Sequence, residues 1–152
     1  MRVVIMGCGR TGAALATDLS REGNEVHVLD MDPAAFRFLP ENFSGQTHVG
    51  NGIDLDVLRR LHVEKADVFV STTRGDNRNV MAAQIAKHIF GVKVVASRVF
   101  DPLREEMYSN LGLRTINPTR VQASRLRKII EAETDDDAHR FVEEFKKQDL
   151  GA

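Results

Sequence analysis

The sequence predicts an α/β chain, a parallel sheet covered on both faces by helices, and three observations lead there. The first is the stretch from Arg2 to Gly12. A β-branched run (Val3, Val4, Ile5) meets glycines at Gly7, Gly9 and Gly12, and Ala13, Ala14, Leu15 and Ala16 then read as helix. A strand of that composition suits a parallel sheet buried on both faces. The second is another apolar strand, Glu25 to Leu29, ending in Asp30. The third is the alternation that continues to the end of the sheet, short apolar runs separated by segments with apolar residues at helical spacing.

Taken in order, the glycines match G-x-G-x-x-G, and the turn and helix they open are of Rossmann type. Gly7 allows the tight turn, Gly9 lets a pyrophosphate approach the backbone, and Gly12 lets the helix pack closely on its strand. Free N–H groups and the positive dipole end at that helix start favour a phosphate. Glycine-rich turns are common, so context carries the motif: a strand before it, a helix after it, and an acidic residue roughly 20 residues on. That residue is Asp30, whose carboxylate suits both ribose hydroxyls and would repel a 2′-phosphate. Met31 and Asp32 adjoin it. Asp32 either assists the ribose or caps the short helix begun by Pro33.

The first helix is expected from Arg10 to Glu22, with Leu15 and Leu19 toward the sheet and Gly23-Asn24 as its stop. A short third strand, Gln46 to Val49, leads into Gly50-Asn51-Gly52. This turn either admits an adenine or its ribose close to the backbone or is simply a turn. Asp54 is expected to cap a helix whose Leu55, Leu58 and Leu61 are core. A fourth strand, Asp67 to Thr72, runs into Thr73-Arg74-Gly75-Asp76. Its hydroxyls and guanidinium lie at the carboxyl end of a strand beside the first, where open α/β sheets bind ligands. Asp76 is expected to cap a helix to about Phe90, with Val80, Ile85 and Ile89 apolar. Val92 to Val99 is the fifth strand, with Arg98 near its end. Asp101-Pro102 starts a helix, and Arg114-Thr115-Ile116 is the sixth strand. Thr119 with Gln122 reads as a capping box for a helix from Arg120 to about Glu133. Its stripe of Leu126, Ile129 and Ile130 covers either its own sheet or a partner. Thr134 to Asp137 reads as a polar break before a charged, helical segment carrying Phe141, Val142 and Phe145.

The class is thus a Rossmann-type, doubly wound, parallel six-stranded sheet with a C-terminal helical extension, divided as 1–133 and 134–152. The 152 residues suffice for one domain with a real core. With 21 Lys and Arg against 22 Asp and Glu, there is no electrostatic case for nucleic acid. A single cysteine, Cys8, excludes an internal disulfide and fits a reducing cytoplasm. No signal peptide is visible and no apolar run approaches a membrane span, so a cytoplasmic protein is expected. The five histidines show no metal-ligand spacing, and no metal is expected. His27 and His48 fall in adjacent strands within approach of each other, with ordinary packing the favoured reading. Cys8 invites a redox role, but a demand for a small side chain between glycines accounts for it better. Arg10 either reaches a phosphate or lies solvated on the first helical turn.

Together, the glycine turn, Asp30, Gly50-Asn51-Gly52, Thr72-Thr73 and Ala96-Ser97-Arg98 resemble the N-terminal nucleotide-binding domain of the RCK proteins (regulators of potassium conductance), specifically the Trk/Ktr potassium-uptake regulators. The resemblance covers residues 1–133. It implies binding of NAD(H), with ATP/ADP or AMP as the alternative. It also implies assembly as a dimer or a ring of dimers, or with a longer RCK protein, under a membrane potassium transporter at the inner face of the membrane. By that resemblance Gly7-Cys8-Gly9-Arg10-Thr11 holds phosphates, Asp30 takes the adenosine ribose, and Thr72 and Thr73 line the crevice. Arg98 supplies a positive group to its own ligand or the partner subunit's. Asn51 stands where these proteins usually carry an acid, which weakens the assignment of Asn51 and Gly52. The family's C-terminal ligand-binding lobe has no counterpart here, so a minimal subunit and a fragment are both open.

Three functions compete. A regulatory nucleotide sensor, with no enzymatic activity, follows from the resemblance. An NAD-dependent dehydrogenase would need a substrate pocket and an acid or base beside the nicotinamide, and the nucleotide fold consumes nearly all of this chain. An NAD-sensing transcription regulator would need a DNA-binding element that the sequence does not offer. The sensor is the expected reading.

Overall fold

A computed structural model describes residues 1–150. Its first compact unit, Met1–Ile116, is built on the sheet. In chain order this unit holds β1 (Arg2–Met6), α1 (Arg10–Arg21), β2 (Glu25–Asp30), a 3-10 helix (Pro33–Phe38) and β3 (Gln46–Val49). It continues with α2 (Leu55–Arg60), a second 3-10 turn (Val63–Lys65), β4 (Val68–Ser71), α3 (Asp76–His88), β5 (Val94–Arg98), α4 (Pro102–Asn110) and β6 (Arg114–Ile116). The six strands are all parallel, in the order β3-β2-β1-β4-β5-β6. The order reverses between β1 and β4, which sets the ligand crevice at their carboxyl ends.

Strand alternation divides the core into two layers. Val3, Ile5, Val26 and Val28 point to the side covered by α1, meeting Cys8, Ala13 and Ala16. Val4, Met6, Leu29 and Phe69 point to the other side, where Leu58, Val63, Val80, Ala83 and Ile85 close over them. Of the expected apolar positions, Ile89 departs: it caps the C-terminus of α3 and is 58% exposed.

The capping expectations divide by reach. Asp32, Asp54 and Asp101 each accept N–H groups two or three residues ahead, as the local rule demands. Asp76 does not cap α3. Gly75 occupies the cap position, and the Asp76 carboxylate instead accepts the N–H groups of Phe100 (2.9 Å) and Asp101 (3.0 Å).

The second unit begins at Asn117 and holds α5 (Pro118–Ile130) and α6 (Asp135–Leu150). This division falls at the start of α5, whereas the boundary drawn from sequence lies beyond its end. Asn117, rather than Thr119, caps α5, accepting the Arg120 N–H at 2.8 Å. Leu126 and Ile130 of the apolar stripe are exposed. The supposed polar break is the start of α6: Thr134 Oγ1 accepts the Asp137 N–H, and three aspartates sit in the first turn, where the helix dipole favours them. Arg125 and Asp149 join the two helices through paired hydrogen bonds of 2.6 and 2.8 Å. Of the C-terminal extension read from sequence, Gly151 and Ala152 lie outside the described residues.

Candidate nucleotide site

Each glycine of the first turn meets a different physical demand. Gly7 has φ +103°, a conformation that disfavours any side chain, and its N–H reaches the Leu29 carbonyl at 2.8 Å. At Gly12 an added Cβ would stand 1.9 Å from the Gly7 carbonyl oxygen, so helix and strand can approach this closely only without it. At Gly9 an added Cβ would meet nothing within 4 Å. The space beyond Gly9 is open, and the N–H groups of the first turn of α1 have no preceding helical carbonyl to bond.

That space is part of a cleft of about 700 Å³ at the carboxyl ends of β1, β2, β4 and β5. Of the residues expected from sequence, Gly7, Cys8, Gly9, Arg10, Thr11, Asp30, Met31, Asp32, Gly52, Thr72, Thr73, Arg74 and Arg98 all line it. Gly12 lies behind the wall, at the helix–strand contact. Asn51 is not brought to the wall; its carboxamide oxygen accepts the Ile53 N–H and its carbonyl the Asp54 N–H, which are turn-building bonds. Gly50 and Gly52 form the wall beside it. A Cβ on Gly52 would come 2.1 Å from Met6 Sδ, so this turn lies directly on β1.

Asp30 is fixed on the floor. One oxygen accepts the Cys8 N–H at 2.7 Å and the other the Asp32 N–H at 3.0 Å. A carboxylate has about four lone-pair sites, so capacity remains for ribose hydroxyls. Asp32 spends one oxygen on the Ala34 N–H, the capping role. Cys8 is fully buried, and desolvation, followed by the charge of Asp30, lifts its thiol pKa to about 11. A neutral buried thiol is a poor redox group.

Arg98 crosses the switch point. It donates to Thr11 Oγ1 at 3.1 Å and to the Thr73 carbonyl at 3.0 Å, and its guanidinium lies 4.5 Å from the Phe100 ring centre. Burial lowers its pKa while Asp76 opposes that shift. Its Nε is buried without a hydrogen-bond partner. The Arg98 side chain lines the cleft wall, where a guanidinium charge suits a phosphate oxygen.

Several residues were missed from sequence. Arg37 and Phe38 line the cleft from the 3-10 helix, while Phe36 and the following Leu39 pack against the core on the α1 side. Arg78 joins Arg10, Arg74 and Arg98 on the wall. Asn79 never touches the cleft yet shapes it. It is fully buried, its oxygen accepts from Thr73 N–H and Oγ1 (2.8 and 2.6 Å), and its nitrogen donates to the carbonyls of Thr73 and Arg98 (2.7 and 2.9 Å). One side chain thus ties the end of β4 to the end of β5. A polar residue among the apolar positions of a helix was the only signal.

The fold and cleft define a nucleotide-type Rossmann domain. The TrkA-N domain family model matches residues 3–118, and the chain belongs to that family, the N-terminal domain of RCK proteins. It is 44% identical over 126 residues to the Trk system potassium uptake protein TrkA of Streptomyces coelicolor, covering 83% of this chain and 56% of that protein. The chain therefore spans little more than half the length of that relative. Among solved structures, the Shewanella denitrificans Kef C-terminal domain in its AMP-bound form superposes with a TM-score of 0.72 at 19% identity, covering 98% of this chain and 93% of that one. The GsuK RCK domain gives 0.72 at 20% identity, covering 85% of this chain and 28% of that one.

Proposed function

We propose that this chain is the nucleotide-sensing part of a regulator of potassium uptake. NAD(H) is the first candidate ligand and ATP, ADP or AMP the alternative. The observation that carries this reading is the open cradle at Gly9, with Asp30 and the Arg98 guanidinium both on the wall of the same cleft. Phosphates would rest on the first-turn N–H groups of α1 and on Arg98, and a ribose on Asp30. The AMP in the Kef neighbour supports an adenine nucleotide, and the Trk relative supports potassium uptake as the process.

The working partner in this reading is a membrane potassium transporter. The domain acts as a dimer or ring of dimers, or beside a longer RCK protein, on the cytoplasmic face. Among the described residues no helix is long and apolar enough to cross a membrane. Control requires that the ligand bind two arrangements of the assembly with different affinity, since equal affinity shifts nothing. The titratable groups on the wall are five arginines, two aspartates and a neutral thiol, groups suited to holding anions and hydroxyls. That supports binding over hydride transfer.

Thermal shift of the purified chain against NAD, NADH, NADP, ATP, ADP and AMP tests the reading. A ligand that binds the folded chain alone raises the melting temperature as its concentration passes Kd. At least one adenine nucleotide should do so, and NADP should trail NAD because Asp30 repels the 2′-phosphate. Incubation with NADH and a panel of small carbonyl compounds should leave NADH unconsumed; steady turnover would instead establish a dehydrogenase.

A further inference from the structure

The base of the sheet holds a histidine pair that the nucleotide site does not use. His27 on β2 is 4% exposed, and its Nδ1 lies 3.0 Å from Nε2 of His48 on the edge strand β3. His27 Nε2 lies 2.9 Å from Glu25 Oε1, and Glu25 is in turn ion-paired to Arg2. The ring centres are 5.3 Å apart with planes only 22° from parallel. That separation is the hydrogen bond plus half a ring on each side, so the rings meet edge to edge with the bond near both planes.

The bonding fixes the protons. The Glu25 carboxylate can only accept, so His27 Nε2 carries hydrogen and neutral His27 offers Nδ1 as an acceptor to His48 Nε2–H. One added proton is tolerated: His27 becomes a double donor and His48 turns to its other tautomer, which reverses the bond and keeps it. A second proton puts hydrogens on both nitrogens across the gap. The bond is then lost, and two like charges face each other.

We propose that the His27–His48 pair is a proton-responsive clamp on β3, whose second protonation loosens the Gly50–Gly52 wall and weakens nucleotide binding. The consequence for binding rests on the nucleotide reading of the cleft; the clamp does not. β3 pairs with β2 alone, over four residues, and immediately past it Gly50 N–H bonds the Asp30 carbonyl at 2.9 Å. Whatever releases β3 therefore disturbs both the glycine wall and the strand end that carries Asp30.

The surrounding charges set the direction. Arg2 of β1 and Glu25 of β2 adjoin the pair, and the N-terminal ammonium acts on Glu25. From the α2 side the Leu61 carbonyl takes Arg2 Nη2. Arg59 pairs with Asp56 and His62 with Glu64, while Arg60 and Lys65 are exposed. Asp67 accepts the Arg2 N–H. Burial first, then His27 and Arg2, hold His48 below the ordinary imidazole value of 6.5. The folded chain thus resists a proton that the unfolded chain accepts. The clamp's contribution is intact above that value and is lost as pH falls below it. By reciprocity, bound nucleotide opposes the proton.

The test measures NAD affinity by calorimetry from about pH 8 to about pH 5, a window in which its diphosphate does not titrate but imidazoles do. Wild type is compared with His48→Gln, whose carboxamide can still bond His27 but takes no charge. Wild-type Kd should climb as pH falls below about 6.5, approaching about tenfold per pH unit for one linked proton, while the variant stays flat. In parallel, β3 amides of the ligand-free wild type should exchange faster on acidification than their intrinsic chemistry requires. A flat wild-type profile, or an equal slope in the variant, overturns the coupling; unchanged β3 exchange overturns the clamp. If NAD binds at no pH, NAD is excluded as the ligand and β3 exchange alone decides the clamp. If His48→Gln does not fold, imidazole nitrogen shifts of the wild type replace it: a shared hydrogen and two separated steps sustain the pair, and two independent ordinary titrations refute it.

Discussion

An alanine methyl at Gly12 would press on the Gly7 carbonyl oxygen from 1.9 Å, while one at Gly9 would extend into open cleft. The two substitutions should therefore separate folding from binding. Gly12→Ala should unfold at much lower denaturant or fail to fold. Gly9→Ala, at φ −77°, should keep its stability within about 1 kcal/mol, since that backbone conformation is open to alanine. In the proposed reading its nucleotide affinity should nonetheless drop at least about tenfold, because the methyl would stand where the phosphates are placed. Urea denaturation beside calorimetry reads both quantities. Equal affinity in Gly9→Ala would remove the phosphates from that turn. Cys8 gives a chemical check at the same scale. With its pKa raised to about 11 and its side chain buried, it should resist iodoacetamide in the native chain at neutral pH and label readily in denaturant. Rapid native labelling would show a loop more open than this one.

At the scale of elements, Asn79 is the side chain on which the β4 and β5 ends depend. Replacing it with leucine leaves the Thr73 N–H and two carbonyls to find new partners in a buried place. A loss of about 2–4 kcal/mol in unfolding free energy is expected, and a loss under about 0.5 kcal/mol would show that the ties are replaceable. At the start of α5, Asn117→Ala should forfeit about 1 kcal/mol of capping. These two residues also mark where the sequence stopped being legible. The strands and the glycine turn were readable because each rests on a local pattern, and Asp30 because it ends a strand about 20 residues past the glycine motif. So were the caps at Asp32, Asp54 and Asp101. Asp76 obeyed no such rule, because its partners lie 24 and 25 residues away across the sheet ends. Asn79 was invisible for the same reason, reaching 19 residues to the Arg98 carbonyl. Arg37 and Phe38 came to the cleft because a short 3-10 helix turned them outward, a matter of phase that a six-residue segment does not reveal.

For the molecule as a whole, strand order decides where chemistry can happen. Because the sheet reverses between β1 and β4, the helix start after β1, the acid at the end of β2, the hydroxyls after β4 and the guanidinium on β5 converge on one cleft. No contiguous stretch of chain holds that set. The fold supplies the position, and side chains supply a positive rim around the acidic Asp30. Regulation in the proposed sense requires occupancy of this cleft before anything else, so occupancy is the decisive measurement. Isothermal calorimetry of the purified chain with NADH and ATP should give saturable one-to-one binding for at least one of them. Asp30→Ala should weaken it by about tenfold to a hundredfold, the loss of one hydrogen bond to a charged group. Folded protein that evolves no binding heat with either nucleotide at millimolar concentration, or Asp30→Ala that binds as wild type does, would contradict the account.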